Sequence, residues 1–172
     1  MRLFLSWKHI ISLCFVLLHL SLSIAHATVV PKQHRLLIIN SYNEGAPWSK
    51  TLITPIMLQT YSIEHVSADL VHINGTFIRN DSLYNQMEEG IFQRYEKNKP
   101  DYLVLIGSIA FTLRDRIQKE WGDIPMILIA NEDTYAPREY YFTGRSINMA
   151  DNKVAPLNDI REQYNFTFIE AP

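Results

Sequence analysis

At 172 residues, 47% hydrophobic and with a single cysteine, the chain is long enough for one domain held by an apolar core, without disulfides or thiolate metal sites. Its 16 Lys+Arg against 18 Asp+Glu give a net charge of −2, which removes the basic surface that nucleic-acid binding needs.

The first 27 residues read as an export signal. Arg2 and Lys8 open it, residues 10–24 are mostly apolar, and Ala25-His26-Ala27 offers a small-x-small cleavage site. Cleavage would release a periplasmic chain starting at Thr28, without Cys14, in which 14 Lys+Arg face 18 Asp+Glu for a net charge of −4. Left uncleaved, the segment would anchor the protein in a membrane, although it is short against the roughly 20 apolar residues of a spanning helix. Three N-x-S/T triplets, at Asn74, Asn80 and Asn165, carry meaning only in a eukaryotic secretory pathway.

After a leader at residues 28–33, Leu36-Leu37-Ile38-Ile39 form an unbroken apolar run, the pattern of a parallel strand covered on both faces. A polar turn follows, and Pro47 suits the first position of the next helix. Within residues 47–61, Leu52, Ile53, Ile56, Met57 and Tyr61 recur at helical spacing and predict a stripe lying on a sheet. Residues 65–73 predict a second strand, less apolar and so nearer a sheet edge, closed by Asn74-Gly75. A second helix starts at Asn80 or Asp81 and runs to about Asn98, with Leu83, Met87, Ile91 and Tyr95 facing inward beside Tyr84 and Phe92. Residues 102–106 give a third strand, residues 109–120 a third helix on Ile109, Leu113 and Ile117, and residues 125–130 a fourth strand.

This β-α-β-α-β-α-β alternation predicts an α/β fold, a parallel sheet with helices on both faces. Residues 28–133 then form one ligand-binding lobe. Residues 134–172 read as a crossover, with a short helix near 156–164 and a strand at 166–169, leading into the incomplete start of a second lobe.

Asn40-Ser41-Tyr42 and Pro47-Trp48, the strand-end Gly107-Ser108 and the run WGDIPMILIANED at 121–133 resemble the periplasmic sensor region of bacterial two-component histidine kinases, notably the hybrid kinases of Bacteroidetes. That region is similar to the solute-binding proteins of ABC transporters in the periplasmic-binding-protein type I fold. The resemblance spans residues 34–172 and implies a Rossmann-like lobe that closes with a second one on a small molecule. The kinase part of such a protein has no counterpart in this sequence, so the expectation is a non-enzymatic ligand-sensing lobe, or alternatively a piece of a transport-type binding protein. Its partner would be a second lobe, a second copy of the chain or a membrane signalling subunit.

Ligands of open α/β sheets bind outside the carboxyl ends of the strands. That places the candidate site on residues 40–49, 74–76, 107–108 and 131–133. Asn40, Ser41 and Tyr42 offer hydrogen bonds to a polar ligand, and Trp48 offers a face for stacking. Gly107 and Ser108, with the amides of the helix that follows, offer a seat for an anionic group. Asn131 and Glu132 close the set. Plainer roles compete: Ser108 as a helix cap, Trp48 as packing, Glu132 and Asp133 as solvated loop carboxylates. His34, His65 and His72 lack metal-ligand spacing, no cofactor is implied, and no G-x-S-x-G, Walker, G-x-G-x-x-G or H-E-x-x-H motif supports catalysis.

Overall fold

In the computed structural model, five strands line up in the order 66–72, 34–40, 102–106, 126–130 and 166–170, every neighbouring pair parallel. The structure describes residues 31–131, 134–142 and 154–171; the expected export signal lies outside them. In chain order the elements are β1 (His34–Asn40), α1 (Pro47–Tyr61), β2 (Val66–His72), α2 (Asp81–Tyr95), β3 (Tyr102–Ile106), α3 (Ser108–Phe111), α4 (Arg114–Trp121), β4 (Met126–Ala130), β5 (Thr134–Tyr135), α5 (Glu139–Phe142), β6 (Ala155–Pro156) and β7 (Phe166–Glu170), with 3-10 turns at Gly75–Phe77 and Leu157–Ile160. This is a Rossmann-like α/β sheet.

The apolar runs behave as their patterning requires. Leu37, Ile38 and Ile39 of β1 and Leu103, Val104, Leu105 and Ile106 of β3 are buried, because central parallel strands meet side chains on both faces. β2 alternates half-buried and exposed residues and forms one edge. On one face Tyr84, Ile91, Phe92 and Tyr95 of α2 pack with Leu37, Ile39, Leu103 and Leu105, joined by Leu113 and Ile117 around α4 and by Leu157 and Ile160. Asn80 caps α2, its side chain accepting the Leu83 amide at 3.0 Å. On the other face Ile53 of α1, with Leu52, Ile56 and Met57 beside it, packs on Ile38, Val104, Ile106 and Ile129.

That second face is covered unevenly. Every connection after β2 whose core contacts are described lies on the α2 side, so among the described residues α1 is the helix that shields the opposite face, near β1 and β2. Over β3, β4 and β7 an open apolar groove of about 540 Å³ remains, where Ile127 is 38% and Ile169 47% exposed.

Four expectations are corrected. Tyr61 does not join the α1 stripe, and Leu83 does not join the α2 stripe; they are 68% and 41% exposed. The third helix is broken: the Thr112 amide is shared between the Ser108 and Ile109 carbonyls, the Leu113 amide donates three residues back to Ala110, and the Thr112 hydroxyl also donates to the Ile109 carbonyl at 2.6 Å, so the helix restarts at Arg114. The helix expected near 156–164 is only the 3-10 turn, its Asn158 and Asp159 being types that favour turns. Finally, residues 166–170 add a fifth parallel strand beside β4, from Met126↔Phe166 to Ala130↔Glu170, and so complete this sheet rather than start another. β7 therefore belongs to the same sheet as β1 to β4. No helix among the described residues is long and apolar enough to cross a membrane.

Candidate functional site

From β1 the chain continues through β2 on one side of the sheet and then through β3 on the other, so the order reverses between β1 and β3. There the following connections leave on opposite faces, α1 on one and α3 and α4 on the other, which marks the topological crevice at the carboxyl ends, where open α/β sheets bind ligands. The residues at this crevice are Asn40, Ser41 and Tyr42 after β1 and Gly107 and Ser108 after β3.

Asn40 is fully buried at the last position of β1, opposite His72 in register. Its Oδ1 accepts the Tyr42 amide at 3.3 Å, its Nδ2 donates to the Tyr42 carbonyl at 3.2 Å, and Nδ2 also meets His72 Nδ1 at 2.9 Å. The side chain thus folds the chain back over itself in an Asx-type turn. Its backbone carbonyl accepts the Ile73 amide at 2.8 Å, tying in the end of β2.

Ser41, 5% exposed, joins three loops. Its amide donates to Ile106 of β3 at 2.8 Å, its carbonyl accepts the Gly75 amide at 2.8 Å, and its Oγ accepts the Ala110 amide at 2.8 Å. The first turn of α3 is therefore capped from another strand, and Gly107, not Ser108, stands at the cap position.

Gly107 has φ +82, and a Cβ there would lie 2.7 Å from Tyr42 Cε2 and 2.9 Å from Ser41 Oγ. Only glycine lets the β1 and β3 loops touch. Its amide donates to Ile129 of β4 at 2.8 Å, carrying the tie across a third strand. Gly75 plays a similar part, since a Cβ there would meet Ile109 Cδ1 at 2.3 Å and the Ser41 carbonyl at 3.1 Å.

Tyr42 and Trp48 are half-buried and meet edge to face, centroids 4.4 Å apart at 75°. Both also pack against the α1-side core. Pro47 begins α1 as expected, and the buried Ser49 hydroxyl donates to the Ala46 carbonyl at 3.0 Å. Asn43, Glu44 and Gly45 are exposed.

The structure brings Asn40, Ser41, Tyr42, Trp48, Gly107 and Ser108 together. Asn131 is exposed at the end of β4, the strand beside β3, while Glu132 and Asp133 lie outside the described residues. Asn40 and Ser41, expected to reach a ligand, are instead committed to loops. Tyr42, Trp48, Ser108 and Asn131 retain accessible surface. His72 and Gly75 belong to the same assembly, yet in the sequence His72 stood out only as a histidine without metal spacing. Its role depends on register with a strand 32 residues away. The perturbed titrating groups, Tyr84, Glu89, Tyr95, Arg116 and Tyr164, belong to the opposite face of the sheet and its outer helices. No group of three or more His, Cys, Asp or Glu able to hold a metal occurs among the described residues.

No protein-family model, curated protein or solved structure matches the chain. Chemically, the crevice offers an aromatic pair, a serine and an asparagine on a braced frame. Such a surface suits recognition of a polar molecule with a flat or ring-shaped apolar face.

Proposed function

We propose that this chain is an exported, non-enzymatic ligand-sensing lobe, the N-terminal part of the periplasmic sensor region of a two-component histidine kinase, and that it takes a small molecule at the crevice between the carboxyl ends of β1 and β3. The observation that carries the reading is the reversal of strand order at that point, with Tyr42 and Ser108 on its two sides. Tyr42 and Trp48 supply contact area with polar tips, and Ser108 and Asn131 supply hydrogen bonds. Asn40, Ser41 and Gly107 hold these groups in place, so little is left to order when a ligand arrives.

The crevice forms one wall. A ligand on it would be closed in by a second lobe or a partner chain, and the closed arrangement would be favoured by as much as the ligand prefers it. The resemblance in residues 40–48, 107–108 and 121–133 supports the sensor assignment.

The test is a thermal-shift screen of sugars, amino acids, organic acids and nucleosides. A ligand at 100 times its Kd stabilises by about 2.7 kcal/mol. The stabilising compound should lose its effect in Tyr42→Ala and Trp48→Ala; an unchanged shift in both variants would remove the crevice from consideration.

A further inference from the structure

The backbone of Tyr42 fixes how the Asn40 amide lies. The Tyr42 N–H donates to Oδ1 at 3.3 Å and the Tyr42 carbonyl accepts from Nδ2 at 3.2 Å, so the two ends of the amide cannot be exchanged without facing donor to donor. The second Nδ2 hydrogen then faces His72 Nδ1, 2.9 Å away. His72 must accept, which puts the proton of its neutral ring on Nε2. A protonated ring bears hydrogen on both nitrogens and accepts nothing. The Asn40–His72 bond exists only while His72 is neutral.

The surroundings of His72 carry few charges. It shares a sheet face with Leu70, the face packed by α1, whose one charged residue is the exposed Lys50. The loop from β1 to α1 contributes the exposed Glu44. Asp69, on the other face of β2, and Arg79, beyond the 3-10 turn, are also exposed; on β1, Arg35 sits at the far end of the strand. No ion pair to His72 occurs among the described residues.

We propose that His72 is a proton-operated latch on the ligand-facing loop, a regulation that rests on reading residues 40–49 as the ligand wall. With the ring neutral, Asn40 is held from both β2 and Tyr42, and the Tyr42–Trp48 pair is fixed. Protonation turns a donor toward a donor and expels the Asn40 amide from that position. The amide also fastens Tyr42, so the turn loosens and the aromatic pair loses its alignment. Ligand retention is therefore strongest with the ring neutral and falls as the medium acidifies, a response suited to a sensor exposed to outside pH.

The experiment is an NMR pH titration of the isotopically labelled protein without ligand. The Tyr42 amide protection factor should fall about fivefold to tenfold on acidification, the weight of one ordinary hydrogen bond, with the midpoint of the His72 ring resonances. In His72→Gln, whose Oε1 accepts from Asn40 at every pH, that step should vanish. A Tyr42 amide that ignores the His72 titration would overturn the latch, as would the same step persisting in His72→Gln. If that variant does not fold, the titration of the unaltered protein decides alone. No ligand enters the measurement, so an unsuccessful ligand screen and an unsuccessful titration are separate results.

Discussion

Ser41 Oγ accepts the amide of Ala110 at 2.8 Å, although the two residues are 69 positions apart. Through this bond the loop after β1 caps the helix that follows β3. The crevice between these strands is therefore braced by its own walls. Replacing Ser41 with Ala should leave a buried N–H without an acceptor and cost about 1–3 kcal/mol. Urea unfolding would read this as a lower midpoint with an unchanged slope.

Gly107 tests the closeness of the two loops. Gly107→Ala places a Cβ 2.7 Å from Tyr42 Cε2 on a backbone at φ +82, so strain and a steric clash add. We expect a loss above about 1 kcal/mol, together with a changed near-ultraviolet circular dichroism signal as Tyr42 shifts against Trp48. A variant as stable as the parent, with an unaltered spectrum, would mean that the loops are not in contact.

The uneven cover of the sheet predicts uneven costs. Leu105→Ala empties a fully buried site and should cost about 2–5 kcal/mol, whereas Ile127→Ala removes a side chain already 38% exposed and should cost clearly less. Comparing the two by chemical denaturation checks whether the β3–β4–β7 face is open in solution.

Alkaline pH should weaken the fold through Tyr95 and Tyr84. Burial raises the Tyr95 phenol to about 12, helped by the nearby Asp69 carboxylate, and burial likewise raises Tyr84 despite its 2.7 Å bond with Thr112. With folded-state values raised, the contribution is whole below the unfolded phenol value of about 10 and is lost as pH climbs toward the folded value. The melting temperature should fall over that interval. In Tyr95→Phe the fall should be shallower.

Much of the fold was legible because its strands are local patterns. The runs at 36–39, 102–106 and 126–130 are apolar without interruption, and Pro47 and Asn80 punctuate the helices where expected. Tyr61 and Leu83 escaped because helical spacing identifies a face but not where the facing sheet ends. The fifth strand was visible as a strand, but its place beside β4 is a long-range pairing that no local pattern encodes. The shared edge on which the candidate residues gather was legible, since strand ends follow from strand assignment. The division of labour within it was not. Asn40 and Ser41 looked like ligand donors because they are polar, and only the register β1 shares with β2 and β3 reveals that their side chains also tie neighbouring loops together.

The central claim, a ligand wall between β1 and β3, is tested most directly by mapping amide and indole chemical shifts of the labelled protein against the compounds that raise its melting temperature. The largest changes should fall at Tyr42, the Trp48 indole, Gly107 and Ser108, with smaller ones at Asn131. Changes confined to Ile127, Ile169 and the rest of the apolar groove, with the carboxyl edge silent, would contradict it.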